Sequence, residues 1–459
     1  MRLLSARRLA PTCIVSAAAV AALAAPGAAI AAPGQQCSGS NITAQGSSLQ
    51  KDAQVNVWTK QFNLSEKSKA ACAGGKSQGN GAKPTVTYSS TGSGAGLEAW
   101  GVGGVAPKYA ANAFVGTDEP PNASQIAEIE SHETTLIPQT VESIPVVQES
   151  VAVIVHLPAG CVAESKNKKE KRLVLNNVTL EKIFRGTIKN WTEITDDGDK
   201  ITGCTPGAIQ PVVRFDQSGT THIFKRYLHL IDPSNFTDEK SVSTDWNTIS
   251  EGTGNTDWPQ AANAVKPLAK GGGEEIAKVL STSGSIGYVN IAEARLNASF
   301  VPPSGGAGTN TFWAPLQNNG VETTGKLKYA DPASNGEIAA EDEANCKNIE
   351  YTNGKEAFPP ANVLEPWNEV TTRTIQKKYP LCGLTYDLSF TNFSTYLGTS
   401  TPALEEATTA HDYLNFVVNS KGGGGQKLIA KHDYLALPKG KVLEEAQAGA
   451  AKISSLSPF

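Results

Sequence analysis

The chain has 459 residues, with 40 lysines and arginines against 44 aspartates and glutamates, and a formal net charge of −4. That balance argues against a nucleic-acid partner. It leaves room for a small anionic ligand, because backbone N–H dipoles bind anions inside acidic proteins, and the length suits two domains with substantial cores or one with large insertions.

Residues 1–31 read as a secretory signal. Arg2, Arg7 and Arg8 form a charged start, Ile14 to Ala25 is apolar and alanine-rich, and Ala29-Ile30-Ala31 is a small-x-small cleavage site. The apolar run is short for a membrane anchor and Pro26-Gly27 interrupts it. Cleavage near Ala31 predicts a secreted or periplasmic protein, and losing three arginines takes the charge from −4 to −7. Cys37 follows Gln35-Gln36 instead of small residues, which argues against lipid anchoring. The 7 cysteines become six once Cys13 leaves, and six in an exported chain suggest disulfides. Proximity along the chain favours Cys37–Cys72, Cys161–Cys204 and Cys346–Cys382, with free buried thiols as the other reading.

Residues 32–40 are small and polar and are expected to be disordered. From Asn41 short apolar runs alternate with helical periodicity, the α/β pattern. Leu49, Ala53, Val57, Trp58 and Phe62 stand at helical spacing, Thr85 to Tyr88 and Ala113 to Gly116 read as strands, and Val146 to Val155 reads as two strand segments running on. A helix spans Leu180 to Phe184 and ends at Gly186. Ser283 to Val289 is a turn and buried strand, Tyr386 to Phe390 a returning strand, and Ala403 to Ser420 a helix closed by Gly422 to Gly425. The charge run Lys166 to Arg172 is a solvated loop. Residues 301–378, rich in Gly, Pro, Asn and acids, read as a loop-rich insertion of peripheral function.

The most informative stretch is Arg214-Phe215-Asp216-Gln217-Ser218-Gly219-Thr220-Thr221, entered from Pro211-Val212-Val213 and followed by a helical run. A strand, a tight turn and a helix start offer unpaired N–H groups, hydroxyls and an arginine fork matched to tetrahedral oxyanions. A carboxylate there repels the anion unless the anion carries a proton to donate. Phosphate at neutral pH does, and sulfate does not. Three other segments place hydroxyls, N–H groups or a carboxylate at strand ends, the edge where open α/β sheets bind ligands. These are Gly46-Ser47-Ser48-Leu49, Thr91-Gly92-Ser93-Gly94 and Gly116-Thr117-Asp118-Glu119-Pro120. Singly they are ordinary caps and turns; together and in this order they point to one site.

In that order the chain resembles the phosphate-binding protein of the bacterial high-affinity phosphate ABC importer, a periplasmic solute-binding family. The resemblance runs from about Asn41 to Asn290 and from Tyr379 to about Pro438, with Ile183-Phe184-Arg185-Gly186-Thr187-Ile188-Lys189-Asn190-Trp191 and Gly284 to Val289 as further markers. It implies a two-lobed α/β fold of the periplasmic-binding type (type II), with lobe one at 41–146 plus 384–455 and lobe two at 147–383. It also implies inorganic phosphate as ligand, a membrane permease as partner, a monomer, no cofactor, no metal and no catalytic residue. Arg214 becomes the clamp and Asp216 its orienter. Ser218, Gly219, Thr220 and Ser93 become donors, and Asp118 accepts the phosphate proton. Ser48 and Leu49 stand where the family usually has Thr-Phe, so Leu49 keeps only a backbone N–H and apolar bulk.

Enzymatic signals are weaker. Gly75-Lys76-Ser77-Gln78-Gly79 lacks the strand and helix of a hydrolase elbow, and the histidines lack zinc-ligand spacing. A secreted phosphatase using the same pocket, a phosphate scavenger without a transporter, and a binder of another oxyanion are the alternatives.

Overall fold

A computed structural model of the protein describes residues 39–63, 84–132, 141–164, 172–195, 200–204, 207–263, 267–297, 299–300, 310–318, 329–335, 342–346, 378–393 and 401–453. The signal segment, the Gly75 to Gly79 stretch, the Cys37–Cys72 pair and Lys166 to Lys171 of the charge run lie outside the described residues; Arg172, the last member of that run, is not solvated as expected but buried, ion-paired with Asp331 and donating to the Trp313 carbonyl. Among those described, no helix is long and apolar enough to cross a membrane.

Strand β1 (Ile42–Gly46) leads into a π-helical stretch, Asp52–Trp58, that continues as the α-helix Thr59–Asn63. This buries Ala53, Val57, Trp58 and Phe62, the positions the spacing singled out. Next come β2 (Val86–Ser90), α1 (Ser93–Ala99) and β3 (Val115–Thr117). β4 (Val141–His156) is one continuous strand, buried along almost its whole length. It is followed by α2 (Asn177–Arg185), β5 (Gln210–Pro211), β6 (Val213–Arg214) and α3 (Gly219–Ile231). Then come β7 (Leu268–Ala269), α4 (Gly271–Ser281), β8 (Ser285–Asn290) and β9 (Thr311–Ala314). The chain returns in β10 (Cys382–Phe390) and closes with α5 (Thr401–Val418), β11 (Tyr434–Leu435) and α6 (Lys441–Lys452).

β4 organises the sheet. Strand order is β2-β1-β3-β10-β4-β8-β5, with β9 and β11 also paired to β4. The first part of β4, Val141 to Ser150, pairs antiparallel with β10, and the second, Val151 to His156, with β8. From Val153 the strand is paired on both edges, to β8 and β9, and Val151 to Val155 are buried, which is why that half of β4 reads as an apolar run without alternation. Its pairing to β10 slips by one residue between Thr385 and Tyr386, opposite Val147 and Pro145. Proline cannot donate to a ladder, and a bulge is where a strand tolerates it. One core gathers Trp58, Phe114, Tyr413 and Phe416 against the first half of the sheet. Another gathers Phe184, Phe224, Trp246, Trp258 and Tyr288 against the second. This is the two-lobed α/β architecture expected from the sequence.

Two disulfides appear among the described residues, Cys161–Cys204 and Cys346–Cys382, as chain proximity favoured. The loop-rich reading of 301–378 misses β9, which pairs with Val153 to His156 of β4 and buries Phe312, Trp313 and Ala314. A four-residue strand between glycine- and proline-rich stretches is too short to show periodicity. The Trp313 indole donates to Asp331 at 3.2 Å, and the Arg295 guanidinium sits 5.2 Å from its ring centre. Trp313→Ala is therefore expected to remove about 3–5 kcal/mol of stability, read as a lower urea midpoint. A loss below about 1 kcal/mol would return this segment to the periphery.

Candidate anion site

β1, β2 and β3 run parallel, so their carboxyl ends at Gly46, Ser90 and Thr117 share one edge. The chain leaves each strand through a residue with chemistry. Past β3 stands Asp118, 1% exposed. Its Oδ1 accepts from the Ser47 hydroxyl at 2.5 Å and the Thr385 hydroxyl at 2.8 Å, and its Oδ2 accepts from the Ser93 hydroxyl at 3.2 Å. Burial raises the Asp118 pKa to about 6, and the Ser47, Thr385 and Ser93 hydroxyls and the Arg214 charge limit the rise.

The opposite wall comes from the strand–turn–helix motif. Arg214 ends β6 and is 1% exposed. Its Nε donates to Asp216 Oδ1 at 2.6 Å and its Nη2 donates to Asp216 Oδ2. Burial lowers the Arg214 pKa, but the Asp216 hydrogen bonds and charge more than offset this, and the guanidinium stays protonated. Ser218 caps α3, its hydroxyl accepting from the Thr221 N–H at 3.2 Å. The Ser218 N–H donates to Asn255 Oδ1 at 2.8 Å. The next two N–H groups, of Gly219 and Thr220, and the hydroxyls of Ser48 and Thr220, have no protein acceptor among the described residues. The two N–H groups are the orphan donors that a helix N-terminus offers an anion.

Two glycines show how closely the walls meet. A Cβ on Gly219 would lie 2.5 Å from Asp118 Cβ and 2.7 Å from Ser93 Oγ, so only glycine lets the α3 start approach the β3 end. A Cβ on Gly94 would lie 2.5 Å from Gln217 Cβ, and the Gly94 N–H donates to the Gln217 carbonyl at 3.2 Å. Ser93, Asp118, Arg214, Asp216, Ser218, Gly219 and Thr220 are thus brought together. Ser48 and Leu49 follow Ser47 in the same turn. The Leu49 N–H donates to the Ser47 hydroxyl at 3.0 Å, and its carbonyl accepts from the Tyr434 hydroxyl at 2.7 Å.

Three contributors escaped the sequence reading. Ser47 was present in the Gly46-Ser47-Ser48 turn but not distinguished from its neighbour. Thr385 sits one residue before the predicted return strand. Asn255 carried no local signal. The site is also less acidic than its residue count implies. Burial, with Glu251 adding to it, pushes Glu119 to about 8, and burial does the same to Glu275 against the pull of Arg214. Both are largely neutral near pH 7.

A model of the PBP superfamily domain, the periplasmic-binding-protein type, matches residues 32–353. Among solved structures, the chain is 16% identical to a phosphate-binding protein from Stenotrophomonas maltophilia, over 89% of this chain and 93% of that one, at a TM-score of 0.53. It is 18% identical to a high-affinity periplasmic phosphate-binding protein solved with phosphate, over 90% and 92%, at 0.54. It is 16% identical to a human phosphate-binding apolipoprotein, over 89% and 94%, at 0.55. At such identities these likenesses speak for the fold. The α/β sheet built around β4, the shared carboxyl edge of β1, β2 and β3, and the length of the matched segment agree: the chain belongs to the PBP superfamily.

Proposed function

We propose that this protein is an extracytoplasmic solute-binding protein that captures inorganic phosphate and delivers it to the permease of an ABC importer. The observation that carries the reading is Asp118. It is a buried carboxylate set against the Gly219 backbone, beside two unpaired helix N–H groups and a buried arginine. An anion entering this site gains charge-assisted bonds from Arg214 and from the α3 start. The same anion meets the Asp118 carboxylate, and like charge in a desolvated site costs several kcal/mol. Hydrogen phosphate relieves that conflict by donating its proton to Asp118. Sulfate has no proton to give, so a single acceptor discriminates between them.

In this reading Arg214, Ser48, Ser93, Ser218, Gly219 and Thr220 hold the anion, with Leu49 closing over it and Asp216 keeping the guanidinium in plane. The lobes, 41–146 plus 384–455 and 147–383, close on the ligand and exclude water, which strengthens every bond inside. The phosphate-binding relatives at the same fold support the ligand. The N-terminal signal pattern and the disulfides support a place outside the cytoplasm. A monomer that presents a closed face to the membrane component fits this role.

Titration calorimetry tests the ligand directly. Phosphate is expected to bind at micromolar or tighter affinity at pH 8, with sulfate far weaker, and absence of phosphate binding by the purified protein would end the proposal. Asp118→Asn is expected to narrow the preference for phosphate over sulfate by at least about 100-fold, since an amide can donate to sulfate where a carboxylate repels it. An unchanged preference would remove Asp118 from its role. The pH dependence has a definite sign. The raised pKa near 6 means that Asp118 gains a proton as pH falls through 6. Sulfate needs that proton, so its apparent affinity is expected to fall about tenfold for each pH unit above 6 and to level off below it. A sulfate affinity flat from pH 5 to pH 8 would contradict this.

A further inference from the structure

Lys225 lies on α3 and is wholly buried. Its Nζ donates to the carbonyls of Ile249 at 3.0 Å, Asn255 at 2.7 Å and Asp257 at 2.5 Å, with that of Gly254 at 3.4 Å. The ammonium also stands 4.4 Å from the Trp258 ring centre. Burying a charge is expensive unless oxygens replace its water. Here every one of these oxygens is a main-chain carbonyl of the segment 249–257, so the segment wraps the ammonium as a chelating loop wraps a cation.

That segment carries Asn255, which reads both main-chain groups of the α3 cap residue. Its Oδ1 accepts from the Ser218 N–H at 2.8 Å, and its Nδ2 donates to the Ser218 carbonyl at 3.1 Å and to the Ser250 carbonyl at 2.7 Å. The Ser218 N–H is thereby engaged, which leaves the Gly219 and Thr220 donors for an anion.

We infer that Lys225 is a positioning residue of the anion site: its ammonium is the internal cation around which residues 249–257 fold, and through Asn255 it sets the α3 N-terminus that meets the ligand. The inference rests on the phosphate reading for its ligand, but the folding of the segment around the ammonium does not.

The test uses the full mature chain. Lys225→Met keeps the length of the side chain and removes the charge. It is expected to weaken phosphate binding about 30-fold in calorimetry. In the ligand-free protein it is also expected to speed amide hydrogen exchange at Ser218 and across 249–257, while β4 keeps its protection. Asn255→Ala is expected to add nothing to that loss in the double variant, since both changes act through one contact. Lys225→Ala with millimolar propylammonium, which restores the missing atoms, is expected to recover affinity and protection, and tetramethylammonium, which has no N–H to donate, is not. Wild-type affinity and wild-type exchange in Lys225→Met would overturn the inference. If Lys225→Met does not fold, failure of propylammonium to rescue Lys225→Ala would overturn it instead. Should the wild-type protein bind no phosphate, the proposed function fails, and exchange at Ser218 and 249–257 still decides the role of Lys225.

Discussion

A carboxylate buried against a helix N-terminus and a guanidinium is the constraint on which the rest of the site depends. Asp118 could not stay ionised at 1% exposure without donors around it. Two hydroxyls, from Ser47 and Thr385, occupy Oδ1, and one, from Ser93, reaches Oδ2. A carboxylate oxygen accepts about two hydrogen bonds, so Oδ2 keeps capacity for one more donor. The parallel arrangement of β1, β2 and β3 supplies this, because it brings Ser47, Ser93 and Asp118 off one sheet edge. Gly219 then allows the oppositely signed helix end to approach.

Burial also settles which of the neighbouring groups carry charge. Desolvation holds Glu119, Glu275 and Asp387 near 8 and raises Glu149 and Glu293 as well. It lowers the His222 imidazole to about 3, which leaves it neutral. Near pH 7 burial therefore favours the protonated form of Glu119, Glu275 and Asp387, which leaves this region less negative than a count of its acids implies. Net charge says little about such a pocket; local solvation decides.

The parts that the sequence made legible are local ones. The Arg214 to Thr221 run announces itself because turn, cap and helix start are written in eight consecutive residues. Ser93 and Asp118 are legible because each follows an apolar strand. Ser47 and Ser48 are adjacent hydroxyls in a turn, and no periodicity tells which one meets Asp118. Thr385 is 267 residues from Asp118, and Asn255 is 37 from Ser218, so only tertiary structure joins them. Asn255 in particular sits in a polar stretch whose shape is imposed by a lysine on another element. β9 was hidden for a different reason: its pairing to β4 is non-local, and β-strand preference reflects the surface a strand packs on more than its own residues.

The Leu49 position shows how the turn after β1 is held in place. The Leu49 side chain is 1% exposed and packs in the core of the second half of the sheet, although its backbone belongs to the turn after β1. Its carbonyl accepts from Asn290 Nδ2 at 2.5 Å, at the end of β8, as well as from Tyr434 on β11. The same Asn290 amide donates to Glu149 Oε2 at 2.9 Å, within β4 near the point where its pairing passes from β10 to β8. The turn is therefore tied to β4, β8 and β11 through a main-chain carbonyl, which any residue provides. The Leu49 side chain itself only fills apolar core. The tie through its carbonyl holds the turn from which the Ser47 hydroxyl donates to Asp118 Oδ1, so the geometry of that turn rests on the main chain and not on the identity of the side chain.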